Sequence, residues 1–137
     1  MRRSSGQSQI TIDASALVEL LLLTPIGRSV ERAVAGAALI APDVINPEAL
    51  QSLRNLERGG KISQDRAAKA VMRLTESTIT RVPTTGLIVD AWPMRTNLSS
   101  YDACYVALAK RLGCPLLTID ARMMRAPSFG VTFLSLQ

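Results

Sequence analysis

Two short segments of this chain share one construction, an apolar run that ends in Asp and passes directly into a helical pattern. They are residues 9–13 (QITID) before a helix predicted over 14–23, and residues 116–120 (LLTID) before one over 121–125. Strand, Asp and helix in this order are typical of open α/β sheets, which bind ligands at the carboxyl ends of their parallel strands. If the two strands are neighbours, their ends lie about 4.8 Å apart. At that spacing two carboxylates repel each other by about 3 to 4 kcal/mol at an effective dielectric near 20, and a divalent cation would offset this repulsion.

The rest of the chain continues the alternation of strands and helices. Helical patterns are predicted over 26–37, 42–58, 63–76, 83–95 and 101–112, and strands over 38–41, 78–82, 115–119 and 131–134. This alternation predicts a three-layer α/β/α sandwich with a mostly parallel central sheet. Residues 9–137 are expected to form a single domain, and the polar residues 1–8, which lack periodicity, a flexible arm. Trp92 is predicted to be a packing anchor.

The composition excludes several classes of protein. An apolar share of 47% and a charged share of 20% are ordinary for a globular protein. No segment is long and charge-free enough to span a bilayer, and Asp13 and Glu19 interrupt the apolar stretch that could resemble a signal peptide, so we expect a cytoplasmic protein. The chain has no His, which excludes Ser-His and Cys-His nucleophiles and most transition-metal sites. Cys104 and Cys114 have neither a zinc nor a redox spacing and are predicted core residues. Catalysis, if present, must depend on carboxylates.

The charge balance favours a polyanionic partner. The chain has a formal net charge of +5. Six of its 16 basic residues form two clusters, Arg66, Lys69 and Arg73 in one and Arg54, Arg58 and Lys61 in the other. Taken alone, each cluster is more readily explained as a solvated helix face. Because aromatic residues make up only 4% of the chain, recognition of a nucleic acid is expected through phosphates rather than through stacked bases.

Two further acids are placed where they could join Asp13 and Asp120. Glu48 lies in the first turns of the helix after the second strand, and Asp102 in the first turn of the helix near residue 101. Each acid also has a purely structural explanation: Asp13 and Asp120 as helix N-caps, Asp102 in a capping box with Ser99, and Glu48 at a positive helix terminus. All four nevertheless follow strand ends or open helices, so they can converge on one edge of the sheet. Mg²⁺ or Mn²⁺ prefers such oxygen ligands.

The residues now support a resemblance. Residues 12–17 (IDASAL), 41–50 (APDVINPEAL), 98–109 (LSSYDACYVALA) and 116–122 (LLTIDAR) resemble the ordered motifs of PIN-domain ribonucleases, and most closely those of the VapC-type toxins. The resemblance extends over nearly the whole chain, and its most specific part is residues 98–122.

The resemblance implies a function. It implies that Asp13, Glu48, Asp102 and Asp120 form a Mg²⁺ or Mn²⁺ site that cleaves RNA, with Asp13 and Asp102 as the primary ligands. It also implies a cognate antitoxin that holds the enzyme inactive, and a homodimer for which the helices over 26–37 and 66–74 could supply the interface. Ser15 and Thr118 match family positions near the acids, where a hydroxyl orients a carboxylate or a water, although they could equally be an ordinary helix-start Ser and strand Thr. A folded RNA such as tRNA or rRNA is the expected substrate.

Three alternatives compete with this interpretation. The first is a PIN fold that binds RNA or a partner protein without cleaving it, and the presence of all four acids argues against it. The second is a receiver-like domain with a phosphoryl-accepting Asp, which would need a late Lys that the chain lacks after its last predicted strand. The third is a flavodoxin-like cofactor binder, for which residues 13–15 make a poor phosphate loop.

Overall fold

A computed structural model describes residues 7–136 and has a four-stranded sheet at its centre. The strands are β1 (Gln9–Ile12), β2 (Ala38–Pro42), β3 (Thr80–Val82) and β4 (Leu116–Leu117). The helices are α1 (Ala14–Leu22), α2 (Pro25–Val34), α3 (Ile45–Arg58), α4 (Gln64–Glu76), α5 (Ile88–Ala91), α6 (Ser100–Leu112) and α7 (Ala121–Arg125). The strand order is β3-β2-β1-β4, and every pairing is parallel. The predicted α/β sandwich with a parallel sheet is therefore confirmed.

The two strands that end in Asp are neighbours. Strand β1 pairs with β4 through Thr11 opposite Leu116 and Ile12 opposite Leu117. The backbone N–H of Asp13 continues this pairing by donating to the carbonyl of Leu117 at 3.1 Å. Their carboxyl ends therefore meet at the same edge of the sheet, as the repeated segment predicts.

The carboxyl-terminal segment departs from the prediction. Residues 131–134 were expected to form a strand, but they make only an isolated parallel bridge between Leu116 and Phe133. The reason is that β4 has just two residues, so it presents too short an edge for a further strand. Strand β4 is itself shorter than predicted because the N–H groups of Ile119 and Asp120 bond to side-chain hydroxyls instead of to another strand.

The weakly helical stretch before α6 is also irregular. It consists of the single turn α5 between two 3₁₀ turns, Thr84–Leu87 and Trp92–Met94. Trp92 is 63% exposed, so the expectation that it anchors the core is wrong. Its ring instead stacks with the guanidinium of Arg95, which lies 4.4 Å from the ring centroid.

Two basic residues of α4 stabilise the end of α1. Arg66 donates from Nη2 to the carbonyl of Leu22 at 2.8 Å, and Arg73 donates from Nη1 to the carbonyl of Leu21 at 2.9 Å. The last carbonyls of a helix have no intrahelical partner, so these guanidinium groups satisfy them. The predicted basic face of α4 is thus largely committed to the fold rather than to a polyanion.

The amino-terminal end of the fold begins at Ser8. The carbonyl of Ser8 accepts a hydrogen bond from the N–H of Ala38 at 2.8 Å. Residues 1–6 of the predicted flexible arm lie outside the described residues. Cys114 is buried and Cys104 is half-buried, and neither is in a disulfide. Within residues 7–136, no helix has the length and apolar character needed to cross a membrane.

Candidate functional site

The four predicted acids line one cleft. Its volume is about 530 Å³, and its walls contain Asp13, Glu48, Asp102 and Asp120. Asp13 directly follows β1, Glu48 and Asp102 lie in the first turns of α3 and α6, and Asp120 directly precedes α7. The cleft therefore lies at the carboxyl edge of the sheet, where parallel α/β proteins bind ligands.

Asp13 is the most buried acid of the cleft, with 4% of its surface exposed. Its Oδ1 accepts hydrogen bonds from the Ala16 N–H at 3.0 Å and from the Ser15 hydroxyl at 2.7 Å. Its Oδ2 accepts a hydrogen bond from the Thr118 hydroxyl at 2.5 Å. Both carboxylate oxygens are therefore held in one orientation.

The two hydroxyls that hold Asp13 also join β1 to β4. Ser15 Oγ accepts the N–H of Ile119 at 3.1 Å, and Thr118 Oγ1 accepts the N–H of Asp120 at 3.0 Å. Each hydroxyl thus accepts a hydrogen bond from one backbone N–H and donates a hydrogen bond to Asp13. Ser15 and Thr118 orient the carboxylate, as the resemblance implied.

Glu48 has a buried partner that the sequence did not reveal. The hydroxyl of Tyr105 donates to Glu48 Oε1 at 2.6 Å. Tyr105 is 1% exposed, and its burial together with the charge of Glu48 raises the pKa of the phenol, so the hydroxyl keeps its proton. The available signal was the i, i+3 spacing from Asp102 on α6, which places both residues on one helical face.

Asp120 combines two roles. It is the N-cap of α7, and its Oδ1 accepts the N–H of Arg122 at 2.9 Å. The side chain of Arg122 also approaches it, with Nε 3.6 Å from Oδ1. Asp13 likewise caps α1, and Ser99 caps α6 by accepting the N–H of Asp102. Asp13 and Asp120 therefore cap helices and line the cleft at the same time. A residue that caps a helix directly after a strand also faces the carboxyl edge of the sheet.

The acids interact electrostatically. Burial raises the pKa of Asp13, which the charge of Asp102 raises further and the hydrogen bonds from Thr118, Ala16 and Ser15 oppose. Burial also raises the pKa of Glu48, with added repulsion from Asp102 and Asp13. The pKa of Asp102 is raised by burial and by the charge of Asp120. Ionisation of Asp13, Glu48 and Asp102 together is therefore electrostatically unfavourable.

The donor set fits a hard divalent cation. All four groups are carboxylates, which are preferred ligands of Mg²⁺ and Mn²⁺. Within residues 7–136, no three His, Cys, Asp or Glu side chains form a ready-made ligand group for one ion. Mg²⁺ does not require such a cage, since it usually keeps several waters and binds one or two carboxylates. An open carboxylate cleft matches that preference.

Asp102→Asn should raise the unfolding temperature of the metal-free protein at pH 7.5 by about 2 °C. The raised pKa means that the folded chain binds this proton more tightly than the unfolded chain does. The stabilisation that protonation of Asp102 gives to the fold is complete below the ordinary aspartate pKa of 3.8. It is lost as pH rises through the raised pKa of the folded protein. Thermal unfolding in EDTA should show a gain that is larger at pH 7.5 than at pH 4.

Asp65→Asn is the matched control for this measurement, because Asp65 is exposed and paired with Lys69 at 3.0 Å. A lower unfolding temperature for Asp102→Asn at pH 7.5 would show that Asp102 stabilises the fold in its charged form.

Comparison with known proteins identifies the family of this chain. The PIN domain family matches residues 10–128, which defines the class of fold. Ribonuclease VapC9 of Mycobacterium tuberculosis is 35% identical over 83% of this chain and 87% of the relative. Ribonuclease VapC3 of the same organism is 36% identical over 90% of each chain. This chain therefore belongs to the PIN-domain family and, within it, to the VapC ribonucleases.

A solved structure supports the fold independently. The crystal structure of VapBC2 from Rickettsia felis, bound to a DNA fragment from their promoter, superposes with a TM-score of 0.65. The match covers 94% of this chain and 99% of that chain at 10% sequence identity. At this identity the similarity shows a shared fold alone.

Proposed function

We propose that this protein is a Mg²⁺- or Mn²⁺-dependent endoribonuclease that hydrolyses RNA phosphodiester bonds. The observation that carries the proposal is the convergence of Asp13, Glu48, Asp102 and Asp120 on one cleft at the carboxyl edge of the sheet. The 35–36% identity to proteins named as VapC ribonucleases supports the same activity.

The four carboxylates would share the work of holding the metal. Asp13 and Asp102 are proposed as direct ligands, with Glu48 and Asp120 completing the site directly or through water. When bound, the cation would offset the carboxylate charge, polarise the scissile phosphate and make a water molecule more acidic. The site would therefore perform hydrolysis without His or Ser chemistry.

The remaining contacts of the cleft would position these groups. Ser15 and Thr118 hold Asp13 from both oxygens, so it needs no reorganisation when it binds a cation. Tyr105 holds Glu48 from inside the fold, and Glu48 can then orient a water or accept its proton. Arg122 carries positive charge beside Asp120 and can contact an RNA phosphate.

The biological setting is proposed from the family. The protein would be the toxin of a toxin-antitoxin pair, inhibited in the cytoplasm by a cognate antitoxin, and would form a homodimer. A folded RNA such as tRNA or rRNA is the proposed substrate, with the net charge of +5 favouring association with the polyanion. Equal or faster cleavage of the same RNA after unfolding would contradict the preference for folded RNA.

Purified protein should cleave total cellular RNA into discrete fragments in Mg²⁺ or Mn²⁺ and should be inactive in excess EDTA. The reason is that the repelling carboxylates cannot approach a phosphate without a cation. Gel electrophoresis of RNA after incubation gives the readout, and thermal unfolding with and without Mg²⁺ measures cation binding separately. RNA binding without cleavage under all metal conditions would instead support a non-catalytic PIN-fold binding module.

A further inference from the structure

One aromatic side chain at the cleft has no role in the mechanism so far. The chain has five aromatic residues. The structure leaves two of them largely exposed, Trp92 at 63% and Tyr101 at 57%. Of these two, Tyr101 lines the acid cleft, next to Asp102, whereas Trp92 lines a separate pocket. An exposed aromatic ring beside the proposed reaction site needs an explanation that packing does not supply.

The position of Tyr101 is well defined by the fold. It lies in the first turn of α6, whose N-cap Ser99 accepts the N–H of Asp102 at 3.1 Å. Tyr101 and Tyr105 are separated by one helical turn, so they share a face of α6. Tyr105 is buried and holds Glu48, while Tyr101 lies at the exposed end of the same face. The ring is thus attached to a rigid element at the mouth of the cleft.

The negative charge of the cleft makes an uncharged contact with RNA useful at this position. Four carboxylates outweigh the charge of one divalent cation, so electrostatic attraction of the RNA phosphates is weak where the RNA must be held. Stacking of a base on an aromatic ring does not depend on charge and is tolerant of sequence, because every base has a π-face. A tyrosine at the mouth can therefore provide attraction that the acids cannot.

We propose that Tyr101 stacks on a nucleobase adjacent to the scissile phosphate and thereby positions the RNA over the acids. This inference rests on the proposed ribonuclease function. It also revises the expectation that RNA is recognised through its phosphates alone. A single exposed ring can stack on one base even though the chain has too few aromatic residues for a platform of several.

Tyr101→Ala should raise KM for a short RNA substrate about 5- to 150-fold, with a smaller effect on kcat. Tyr101→Phe should behave as the wild type, because the ring remains. Trp92→Ala is the control, since it removes the other exposed aromatic from a different pocket. The Mg²⁺-induced rise in unfolding temperature should persist in all three variants, because none of them removes a carboxylate.

An abasic nucleotide beside the cleavage position provides a second arm of the experiment. It should raise the KM of the wild type about as much as Tyr101→Ala raises KM for the intact RNA. It should raise the KM of Tyr101→Ala little further, because both changes remove the same contact. Additive losses would overturn the stacking contact. Equal losses in Tyr101→Phe and Tyr101→Ala would assign the effect to the hydroxyl and would also overturn it.

The remaining outcomes separate this inference from the proposed function. If the wild type cleaves RNA and Tyr101→Ala cleaves it equally well, the stacking proposal alone fails. If Tyr101→Ala changes the sedimentation of the protein but not its KM, Tyr101 belongs to a protein interface and the proposal fails. If the wild type does not cleave RNA, the ribonuclease function fails and the stacking proposal fails with it.

Discussion

Asp13→Asn is expected to reduce RNA cleavage by at least about 100-fold, which corresponds to the loss of several kcal/mol of transition-state stabilisation. The substitution removes a charge from the proposed metal site. It also replaces one of two accepting oxygens by an NH₂ group, which cannot accept the proton of Ser15 or of Thr118. Initial rates with a defined RNA at saturating Mg²⁺ measure the effect.

Asp65→Asn is the control for this loss of activity. It makes the same chemical change at an exposed site, where the carboxylate pairs with Lys69 on α4, and it should leave cleavage unchanged. Circular dichroism must show that Asp13→Asn is folded. Substantial cleavage by folded Asp13→Asn would show that Asp13 is not a required metal ligand. Asp102, Glu48 and Asp120 would then be the remaining candidates.

The second large effect concerns the fold. Gly27→Ala is expected to destabilise the protein by at least about 2 kcal/mol. A Cβ at Gly27 would lie 2.0 Å from the carbonyl oxygen of Glu19 and 3.1 Å from Cα of Leu20. These are backbone atoms of α1, so α2 must move away from α1 to admit a methyl group. Urea denaturation followed by circular dichroism measures the difference in the free energy of unfolding.

Gly86→Ala is the comparison for Gly27→Ala. Within residues 7–136, a Cβ at Gly86 would meet Arg111 Nη1 alone, at 3.7 Å, which is an ordinary contact with a flexible side chain. Its effect should stay within about 1 kcal/mol. Equal stability of Gly27→Ala and the wild type would contradict the close packing of α2 against the backbone of α1. Because Asp13 is the N-cap of α1, displacement of this helix pair should also lower cleavage activity.

Features encoded within a few residues of one another could be predicted from the sequence. The strands that end in Asp13 and Asp120, and helices such as α4 and α6, have local signals: apolar periodicity, N-caps and terminating glycines. The candidate acids were also predictable, because Asp13 and Asp120 cap helices after strands, Glu48 and Asp102 lie in the first turns of helices, and such positions face the ligand-binding edge of a parallel sheet. Their roles as metal ligands remain a prediction, whereas their placement in one cleft is described by the structure.

Features that depend on distant contacts could not be predicted. The capping of α1 by Arg66 and Arg73 joins residues more than forty positions apart, so the sequence suggested a free basic face instead. The absence of a strand over 131–134 depends on how short β4 is, which in turn depends on hydroxyls that bond to the backbone after it. Trp92 was assigned to the core on residue type, but its position on a short irregular turn leaves it exposed.

The sequence by itself determined the layered α/β fold, the edge of the sheet at which four carboxylates gather, and the exclusion of His chemistry. Each of these follows from composition or from order along a few residues. The tertiary structure alone decided two of the contacts that hold the acids: the hydroxyl of Thr118 on Asp13, and the buried phenol of Tyr105 on Glu48. Hydrogen bonds of this kind require atoms to meet within about 3 Å, and only the packing of helices and strands brings residues 57 or 105 positions apart to that distance.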